Sequence, residues 1–332
     1  MSFTAVPQRT TRLARSVLAV PGSNTRFIEK APKSQADQIF FDLEDAVAPD
    51  QKKRARSLVI EALNDLDFTG KTVSVRINGL DTPYMYRDVV DVVEQAGAKL
   101  DLILIPKVGT AADIYAVDML LTQIETAKKI NKRIGIELLV ETPLGLRNID
   151  AIAAASPRNE AILFGSADYA ASSGAQITGI GGPNPDYHVL TGKAGDEDRQ
   201  AHWGDMWHFT LATLVSAARA HGLRPLDGPF ADIKDPEGWT AAARRARVLG
   251  FEGKMVIHPS QVDLANRLYS PSLADVEQAQ RILDAMAEAD RMGAGAVTLD
   301  GKMIDIASIR QAEAVVRKAD AIAAKGPAEA AT

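Results

Sequence analysis

The chain has 332 residues, of which 46% are hydrophobic and 24% charged, and its net charge at pH 7 is −5. This length allows a large core and is common for a single α/β barrel. The acidic balance and the scattered Lys and Arg residues argue against nucleic acid as a partner. Cysteine is absent, which excludes disulfides, thiolate nucleophiles and thiolate metal ligands. Without a signal-like N-terminus or an apolar run near the roughly 18 residues of a membrane span, we expect a soluble, cytoplasmic protein with no membrane partner.

Short apolar runs alternate with longer amphipathic stretches along most of the chain. Eight runs are predicted strands: SVLAV, QIFFD, TVSVR, LILIP, IGIELLV, AILFG, LRPLD and GKMVI. Helical patterns between them include Lys52 to Leu63, Ala111 to Lys129, Asp205 to His221 and Glu237 to Leu249. This alternation is typical of parallel βαβ units, and eight units predict a closed (β/α)8 TIM barrel. An open, doubly wound sheet is the alternative, because periodicity alone does not count strands reliably.

Two segments interrupt the alternation of strands and helices. Residues 172–203 are rich in Gly, Pro, Asn and Asp and follow the sixth strand, where a long loop would overhang a barrel site. The tail predicts a helix ending near Met292, the segment GAGAVTLDGKMID, and a helix through Ala324. We therefore predict a catalytic barrel over residues 1–271 with an inserted loop at 172–203, and a small C-terminal lid or arm domain over 272–332.

Charged residues recur where the predicted strands end. Because the carboxyl ends of barrel strands meet at one face, these residues can converge although they are distant in sequence. They are Asp42, Glu44, Asp45, Arg76, Lys107, Glu141, Asp168, Asp227 and His258. Any one of them alone is explained by a helix cap or a surface ion pair. Together, so many acids on one face would repel one another unless a cation or Arg76 were present.

Glu141 and Asp168, after successive strands, are the candidate metal ligands. With no cysteine and only five histidines, carboxylate oxygens favour Mg²⁺ or Mn²⁺ over zinc. Two protein ligands leave positions open for water or for a 2-oxo or 2-hydroxy acid. Arg76 could bind the carboxylate of such an acid or steady an enolate.

Three further features allow alternative interpretations. Lys107, in IPKVG, could form a Schiff base if desolvation lowered its pKa. His258, in IHPSQ, could be a general acid or base, or a hydrogen-bonded loop residue. The PGSNTRF turn after the first strand places backbone N–H groups, Arg26 and Lys30 where phosphates could bind.

The ordered motifs together resemble one family. They are RSVLAVPGSNTRFIEKA, FDLEDAV with the helix from Lys52 to Arg56, VRINGLDTP, IPKV, ETPLG, FGSADY, KMVIHPSQV and GKMID. From about Arg15 to the final helix, the chain resembles the citrate lyase β-subunit-like branch of the HpcH/HpaI aldolase superfamily. The resemblance implies a TIM barrel, Mg²⁺ held by Glu141 and Asp168, and Arg76 in contact with the reacting acid. It also implies that Glu44 and Asp45 hold metal-bound waters.

The same resemblance implies the remaining site residues. It places coenzyme A contacts at Arg26 and Lys30 and, more loosely, at His258 and Pro259. Backbone N–H groups around Gly165 and Ala167 would offset negative charge on the substrate. The catalytic acid/base would be Asp305 of GKMID, with Asp300 of TLDG as a rival. It would come from the C-terminal arm of a neighbouring subunit in a homo-oligomer, typically a hexamer.

The activity implied is a Mg²⁺-dependent, reversible carbon–carbon cleavage of a CoA thioester. The segments GGPNPDYHVLTGK and HWGDMWHF resemble members that cleave (S)-malyl-CoA to acetyl-CoA and glyoxylate, and β-methylmalyl-CoA could give propionyl-CoA. The alternatives are cleavage of citramalyl-CoA to acetyl-CoA and pyruvate, a citrate lyase β-type subunit, hydrolysis of malyl-CoA, and a silent barrel that binds CoA or RNA. A methyl-sized difference between substrates is worth only about 1–3 kcal/mol, so two lyase activities can coexist.

Overall fold

A computed structural model of the chain describes residues 6–325 apart from 11, 196, 198 and 292–296. Its strands are β1 (Ser16–Pro21), β2 (Gln38–Asp42), β3 (Thr72–Arg76), β4 (Leu102–Ile105), β5 (Gly135–Val140), β6 (Asn159–Phe164), β7 (His188–Thr191), β8 (Gln200–Trp203), β9 (Arg224–Asp227), β10 (Gly253–Val256), β11 (Val297–Leu299) and β12 (Lys302–Ile304). Eight of these close into a parallel barrel in the order β1-β2-β3-β4-β5-β6-β9-β10, with β10 beside β1. The predicted (β/α)8 barrel is therefore confirmed, and the open sheet is wrong.

Helices follow the barrel strands and form its outer layer, except for the last two helices of the chain, which belong to a second compact unit. They are α1 (Thr25–Lys30), α2 (Lys52–Asp65), α3 (Met85–Ala96), α4 (Ala111–Lys128), α5 (Pro143–Arg147), α6 (Ile149–Ala154), α7 (Ser166–Ser173), α8 (His208–Ala220), α9 (Pro236–Leu249), α10 (Ser260–Leu268), α11 (Leu273–Arg291) and α12 (Ile306–Ala324). All eight strand runs and the four helical patterns of the sequence are confirmed within a few residues. No helix in the described ranges combines the length and the apolarity that a bilayer crossing requires.

The interior of the barrel has an apolar middle and a polar layer towards the amino ends of the strands. The apolar cluster includes Val17, Phe40, Leu104, Leu139, Leu163, Leu226 and Met255. Glu137, two residues before Leu139, is fully buried and accepts a hydrogen bond from Gln38 Nε2 at 2.7 Å, with Arg224 Nη2 at 3.5 Å. Burial outweighs these partners and raises the pKa of Glu137 to about 7. The apolar cluster thus separates this layer from the carboxyl ends of the strands.

The inserted segment carries an antiparallel hairpin that the sequence did not predict. Strands β7 and β8 pair through Thr191 and Gln200, and both strands are exposed. Closer to the barrel, the N–H of Ala231 donates to the carbonyl of Ile180 at 3.0 Å. A Cβ at Gly181 would lie 2.2 Å from the carbonyl oxygen of Pro229, so the start of the insertion fits closely against the loop after β9.

The chain divides into two compact units after Ala265. The second unit pairs helices α11 and α12 and contains the β11–β12 hairpin. The turn of that hairpin is Asp300-Gly301, with φ values of 51° and 74°, as expected of the Asp-Gly turns that suit hairpin twist. Asp305 is the N-cap of α12, and its side chain accepts the N–H of Ser308 at 2.9 Å.

Candidate active site

A cavity of about 390 Å³ opens at the carboxyl ends of the barrel strands. Its polar lining residues are Asp42, Asp45, Arg76, Glu141, Ser166 and Asp168. Its apolar lining residues include Ala19, Phe40, Leu139, Ile180, Met255 and Ile257. An apolar cavity with a few convergent polar groups is the usual form of a small-molecule site.

Asp42 and Arg76 form an ion pair on one wall of the cavity. They end β2 and β3 and are register partners across the two strands. Arg76 Nε and Nη2 donate to the two carboxylate oxygens of Asp42 at 2.7 and 2.6 Å, a bidentate geometry that fixes both groups. Burial opposes ionisation of Asp42, but the charge and hydrogen bonds of Arg76 outweigh it and lower the pKa of Asp42. Arg76 therefore stays charged and fixed in orientation.

The loop after β2 is held from two sides. The carboxylate of Asp42 also accepts the backbone N–H groups of Glu44 and Ala46 at 2.9 and 3.0 Å. From the other side, Lys52 Nζ donates to the carbonyls of Leu43 and Glu44 at 2.8 and 2.7 Å. The lysine of the Lys52–Arg56 motif therefore has a structural role, which is to fix the loop that carries Glu44.

Glu44 and Asp45 lie between two cations. One oxygen of Glu44 is 3.1 Å from Arg76 Nη1, and the other contacts Lys107 Nζ closely. Asp45 is farther from both, at 3.7 Å from Arg76 and 3.5 Å from Lys107. Burial raises the pKa of Glu44, and the two cations offset it only in part.

Glu141 follows β5 directly, and the next residues explain its position. Thr142 caps α5 by accepting the N–H of Gly145 at 3.0 Å, and Pro143 occupies the first helical turn. The chain therefore turns immediately after Glu141, whose side chain is 1% exposed. A Cβ at residue 165 would lie 2.3 Å from Glu141 Oε2, so the glycine of FGSADY makes room for this carboxylate.

Glu141 is a buried carboxylate without enough positive charge around it. Its burial, together with the charges of Asp168 and Glu44, raises the pKa to about 8, against the partial relief from Lys107 and Arg76. Buried like charges of this kind are typical of sites that a cation completes.

Asp168 and Ser166 belong to the first turn of α7, which begins directly after β6. Asp168 is 37% exposed and lies 3.6 Å from Lys107 Nζ. Ser166 Oγ is buried and has no hydrogen-bond partner among the described residues. The N–H of Gly165 donates to the carbonyl of Val140 at 3.1 Å, so Gly165 contributes space to the site but no free hydrogen-bond donor. The N–H groups of the first turn of α7, from Ser166 onwards, have no hydrogen-bond partner within the helix.

The oxygen atoms of this site fit a hard divalent cation. Mg²⁺ prefers oxygen ligands, and the site offers a buried carboxylate that is repelled by its neighbours and, among the described residues, a hydroxyl without a partner. In the described part of the chain, no group of three or more His, Cys, Asp or Glu side chains is placed to hold a metal ion by itself. Glu141 and Asp168 would therefore supply two ligands, and water or substrate the others.

Lys107 does not have the properties of a Schiff-base lysine. Burial opposes its charge, but the hydrogen bond to Glu44 and the charges of Glu44, Glu141 and Asp45 outweigh burial and raise its pKa. A permanently protonated amine is not a nucleophile. The Schiff-base hypothesis is therefore not supported by the site.

The predicted coenzyme A residues lie outside the cavity lining. Arg26 and Lys30 are exposed on α1, which follows the carboxyl end of β1. His258 and Pro259 are also exposed, and Nδ1 of His258 is 2.8 Å from the hydroxyl of Ser260. Their neighbour Ile257 does reach the cavity. The structure thus places these four residues at the outer edge of the strand ends, and their role stays a prediction.

Asp227 does not reach the site, although it ends a strand. Its neighbour Leu226 faces the barrel interior, and alternation along a strand turns Asp227 outwards. There it pairs with Lys254 Nζ at 2.5 Å and accepts the N–H of Gly228. Asp227 is therefore a structural residue of the barrel wall.

In the second unit, the two candidate acid/base residues differ. Asp300 is bound to Arg281 at 2.7 Å, which lowers its pKa, and it occupies the left-handed turn position before Gly301. Asp305 is exposed, and the hydrogen bonds from Ser308 lower its pKa. The ion pair with Arg281 and the place in the hairpin turn give Asp300 a structural role.

Comparison with known proteins identifies the family. Residues 15–259 match the HpcH/HpaI aldolase/citrate lyase family. The chain belongs to this family. It is 51% identical to an L-malyl-CoA/beta-methylmalyl-CoA lyase of Cereibacter sphaeroides, over 98% of this chain and 100% of the relative. It is 41% identical to a malyl-CoA/beta-methylmalyl-CoA/citramalyl-CoA lyase of Chloroflexus aurantiacus, over 88% of this chain and 83% of the relative.

A solved structure supports the same family. The CitE protein of Mycobacterium tuberculosis, in complex with magnesium, acetoacetate and coenzyme A, is 28% identical, with a TM-score of 0.70 over 94% of this chain and 100% of that chain. The resemblance inferred from the motifs is therefore confirmed, and the fold is that of an aldolase and lyase family.

Sequence reasoning underestimated two residues of the site. Asp42 was one of many acids at strand ends, and only the register of β2 and β3 shows that it fixes Arg76. Lys107 is a candidate nucleophile by sequence, whereas in the structure it is one of two cations among the carboxylates, beside Arg76. The sequence signal for both was their place directly after a strand, shared with several residues that have no such role.

The raised pKa of Glu141 predicts how pH affects the metal-free protein. The carboxyl ionises near 4.5 ordinarily and near 8 in the fold, so the folded chain holds a proton there that the unfolded chain releases. Stability should therefore fall as pH rises through this window, by at most about 1.4 kcal/mol per pH unit. Glu141→Gln should flatten this dependence.

Calorimetry of EDTA-treated protein at pH 5, 6, 7 and 8 measures the effect. Glu137 also lowers the stability as pH rises, up to about pH 7. The quantity to compare is therefore the difference in melting temperature between wild type and Glu141→Gln at each pH. Parallel melting-temperature profiles for the two proteins would contradict the assignment of the shift to Glu141.

Proposed function

We propose that this protein is a carbon–carbon lyase that cleaves (S)-malyl-CoA reversibly to acetyl-CoA and glyoxylate, and β-methylmalyl-CoA to propionyl-CoA and glyoxylate. The proposal includes a divalent cation, Mg²⁺ or alternatively Mn²⁺, held by Glu141 and Asp168. The observation that carries it is the buried, under-neutralised carboxylate of Glu141, which lines the cavity together with Asp168. The relative with 51% identity over nearly the whole chain supports the substrate class.

When bound, the divalent cation supplies open coordination positions for a 2-hydroxy or 2-oxo acid and polarises its oxygen. Glu44 and Asp45 would accept hydrogen bonds from water molecules bound there, because the Lys107 ammonium that lies 3.6 Å from Asp168 also contacts both of them. The magnesium in the CitE complex supports this assignment.

Arg76 would bind the carboxylate of the acid or the oxygen that becomes negative during cleavage. Asp42 accepts hydrogen bonds from Nε and Nη2, and Nη1 is 3.1 Å from Glu44 Oε2 without a hydrogen bond to it. Arg76 also lines the cavity, so its remaining N–H groups would be available to the acid. Because its orientation is fixed before substrate binds, no reorganisation is needed when charge develops. The backbone N–H groups of Ser166 and Ala167 would add to this stabilisation.

Asp305 would transfer the proton at the acetyl carbon. In cleavage, the hydroxyl group would lose its proton to solvent water as its carbon becomes the aldehyde carbon of glyoxylate. The bond between the hydroxyl-bearing and methylene carbons of the malyl unit breaks, and the protonated form of Asp305 would give its proton to the resulting acetyl-CoA enolate. In condensation it would remove a proton from the acetyl methyl group. The hydrogen bonds from Ser308 keep Asp305 ionised in the isolated chain, which suits the base, and burial beneath a lid would raise its pKa for the acid role.

The C-terminal segment, residues 272–332, would act as a lid or arm that brings Asp305 to the site of a neighbouring subunit, in a hexamer within the cytoplasm. Two large apolar side chains near Asp305 support this: Met303 and Ile306 are 71% and 61% exposed. Apolar residues on both sides of a catalytic acid favour a position that is covered in an assembly.

Coenzyme A would bind along the outer edge of the strand ends. Arg26 and Lys30 make no ion pair with another described residue and would be available for phosphates. His258 and Pro259 would contact the carrier more loosely. The coenzyme A in the CitE complex supports a thioester carrier.

Cleavage of citramalyl-CoA to acetyl-CoA and pyruvate is the second candidate. It is favoured by the relative from Chloroflexus aurantiacus, whose name includes this substrate. The two substrates differ by a methyl group on the released acid, and the cavity has an apolar lining that would accept it. A citrate lyase β-type subunit is less favoured, because the relative with 51% identity matches this chain from end to end.

The proposal predicts that the purified chain with (S)-malyl-CoA and Mg²⁺ releases glyoxylate and acetyl-CoA in equal amounts. A phenylhydrazine assay detects the aldehyde, and chromatography separates acetyl-CoA from free CoA. EDTA should stop the reaction, and added Mg²⁺ should restore it. Free CoA without glyoxylate would instead identify hydrolysis, and pyruvate from citramalyl-CoA alone would identify the second candidate.

Replacement of Asp305 tests the assignment of the acid/base. Asp305→Ala should lower kcat by about 10²- to 10⁴-fold, the usual contribution of a general acid or base, and should leave Mg²⁺ binding unchanged. Asp300→Asn is the matched control, and it should keep kcat within a few-fold because Asp300 serves the hairpin turn. Steady-state kinetics of both variants decide between the two residues, and the opposite ranking would assign the role to Asp300.

A further inference from the structure

The backbone of Lys107 is strained at the site. Of the described residues other than glycine, only Lys107, Lys129 and Asp300 have a positive φ, and that of Lys107 is 51°. Lys129 ends α4 and Asp300 belongs to a hairpin turn, which are ordinary places for a left-handed residue. Lys107 has neither setting. In this conformation its N–H donates to Glu141 Oε1 at 2.9 Å, so the strain orients a candidate metal ligand.

The side chain of Lys107 touches the other carboxylates of the cluster. Its ammonium contacts Glu44 closely and lies 3.5 Å from Asp45 and 3.6 Å from Asp168. One residue thus contacts both candidate ligands, through its backbone and its side chain, together with both carboxylates beside them. Its side chain is 31% exposed, so the ammonium has room to move.

We propose that Lys107 is a positioning residue whose ammonium serves as the cation of the carboxylate cluster in the metal-free protein, and that a divalent ion displaces it from Asp168. This inference rests on the proposed metal site. A divalent ion bound to Asp168 would repel the nearby ammonium. The 3.6 Å separation of Lys107 Nζ from Asp168 is the longest of its three carboxylate contacts, so it is the one that the ion would break first. The close pair with Glu44 and the backbone bond to Glu141 remain when the contact to Asp168 is lost.

Removal of the positive charge of Lys107 should lower the melting temperature of the metal-free protein and raise its affinity for the divalent ion. Without the ammonium, the acids repel in the metal-free protein, and its melting temperature falls. The same loss removes a competitor and a repelling charge for the divalent ion, and the affinity for the ion rises. A residue that only supports the local fold would lower both quantities.

The experiment uses the purified full-length protein, freed of metal with EDTA, and Mn²⁺ as the probe. Electron paramagnetic resonance of free Mn²⁺ gives the Kd, and calorimetry gives the melting temperature without metal. Lys107→Met removes the charge at similar volume. Lys129→Met is the matched control, because it replaces a lysine of nearly the same φ, 54°, outside the site. Lys107→Gly keeps the backbone conformation and replaces Lys107→Met if that variant does not fold.

Lys107→Met should bind Mn²⁺ at least about tenfold more tightly than wild type, with a lower metal-free melting temperature than Lys129→Met. Equal or weaker Mn²⁺ binding by Lys107→Met, with stoichiometric binding by wild type, would overturn the inference and leave the metal site intact. Absence of Mn²⁺ binding by wild type would overturn the metal site of the proposed function and this inference with it.

Discussion

The balance of charge at the mouth of the barrel is the constraint on which the site depends. Asp42, Glu44 and Glu141 are buried carboxylates near one another, and Arg76 and Lys107 are the cations that contact them. Arg76 satisfies Asp42 and lowers its pKa, but Arg76 and Lys107 together leave Glu141 with a raised pKa. The remaining negative charge favours a divalent cation at this position, and such a cation together with Arg76 would in turn attract the carboxylate of a small acid.

The buried charges of this site are confined to one end of the barrel. The apolar cluster around Phe40 and Leu139 fills the middle of the barrel, and local devices hold each charge above it. Thr142 ends the strand at Glu141, and Gly165 leaves space beside that carboxylate. The cap at Thr142 stabilises the start of α5, whereas the glycine and the crowded acids cost stability locally. The hydrogen-bonded strands and the outer helices supply that stability elsewhere.

The sequence was sufficient to predict the barrel and the direction in which to look for chemistry. Apolar runs such as QIFFD coincide with strands because buried parallel strands are apolar on both faces. The ends of strands then identified Glu141, Asp168 and Arg76. The same rule also selected Asp227, which points outwards because Leu226 takes the interior position. A place at the end of a strand does not show whether a side chain points into the barrel or outwards when the exact boundary of the strand is uncertain.

Other features depended on three-dimensional facts that one chain does not display. The pairing of Asp42 with Arg76 follows from strand register, and the position of Lys107 follows from a left-handed backbone that lysine rarely adopts. The hairpin of the insertion was hidden in a segment rich in turn residues. By contrast, the hairpin at Asp300-Gly301 is legible in the sequence, since Asp-Gly between two short strand-like runs, VTL and KMI, is typical of such turns.

The central claim is that Glu141 and Asp168 hold a divalent ion, and anomalous X-ray diffraction from crystals soaked in Mn²⁺ tests it most directly. The account predicts one strong peak within bonding distance of a carboxylate oxygen of each residue. The distance from the peak to each oxygen should be near that of Mg²⁺ to oxygen, which is about 2.0–2.1 Å. It also predicts water or substrate at the remaining positions. A peak bound elsewhere, or none between these two carboxylates, would contradict it.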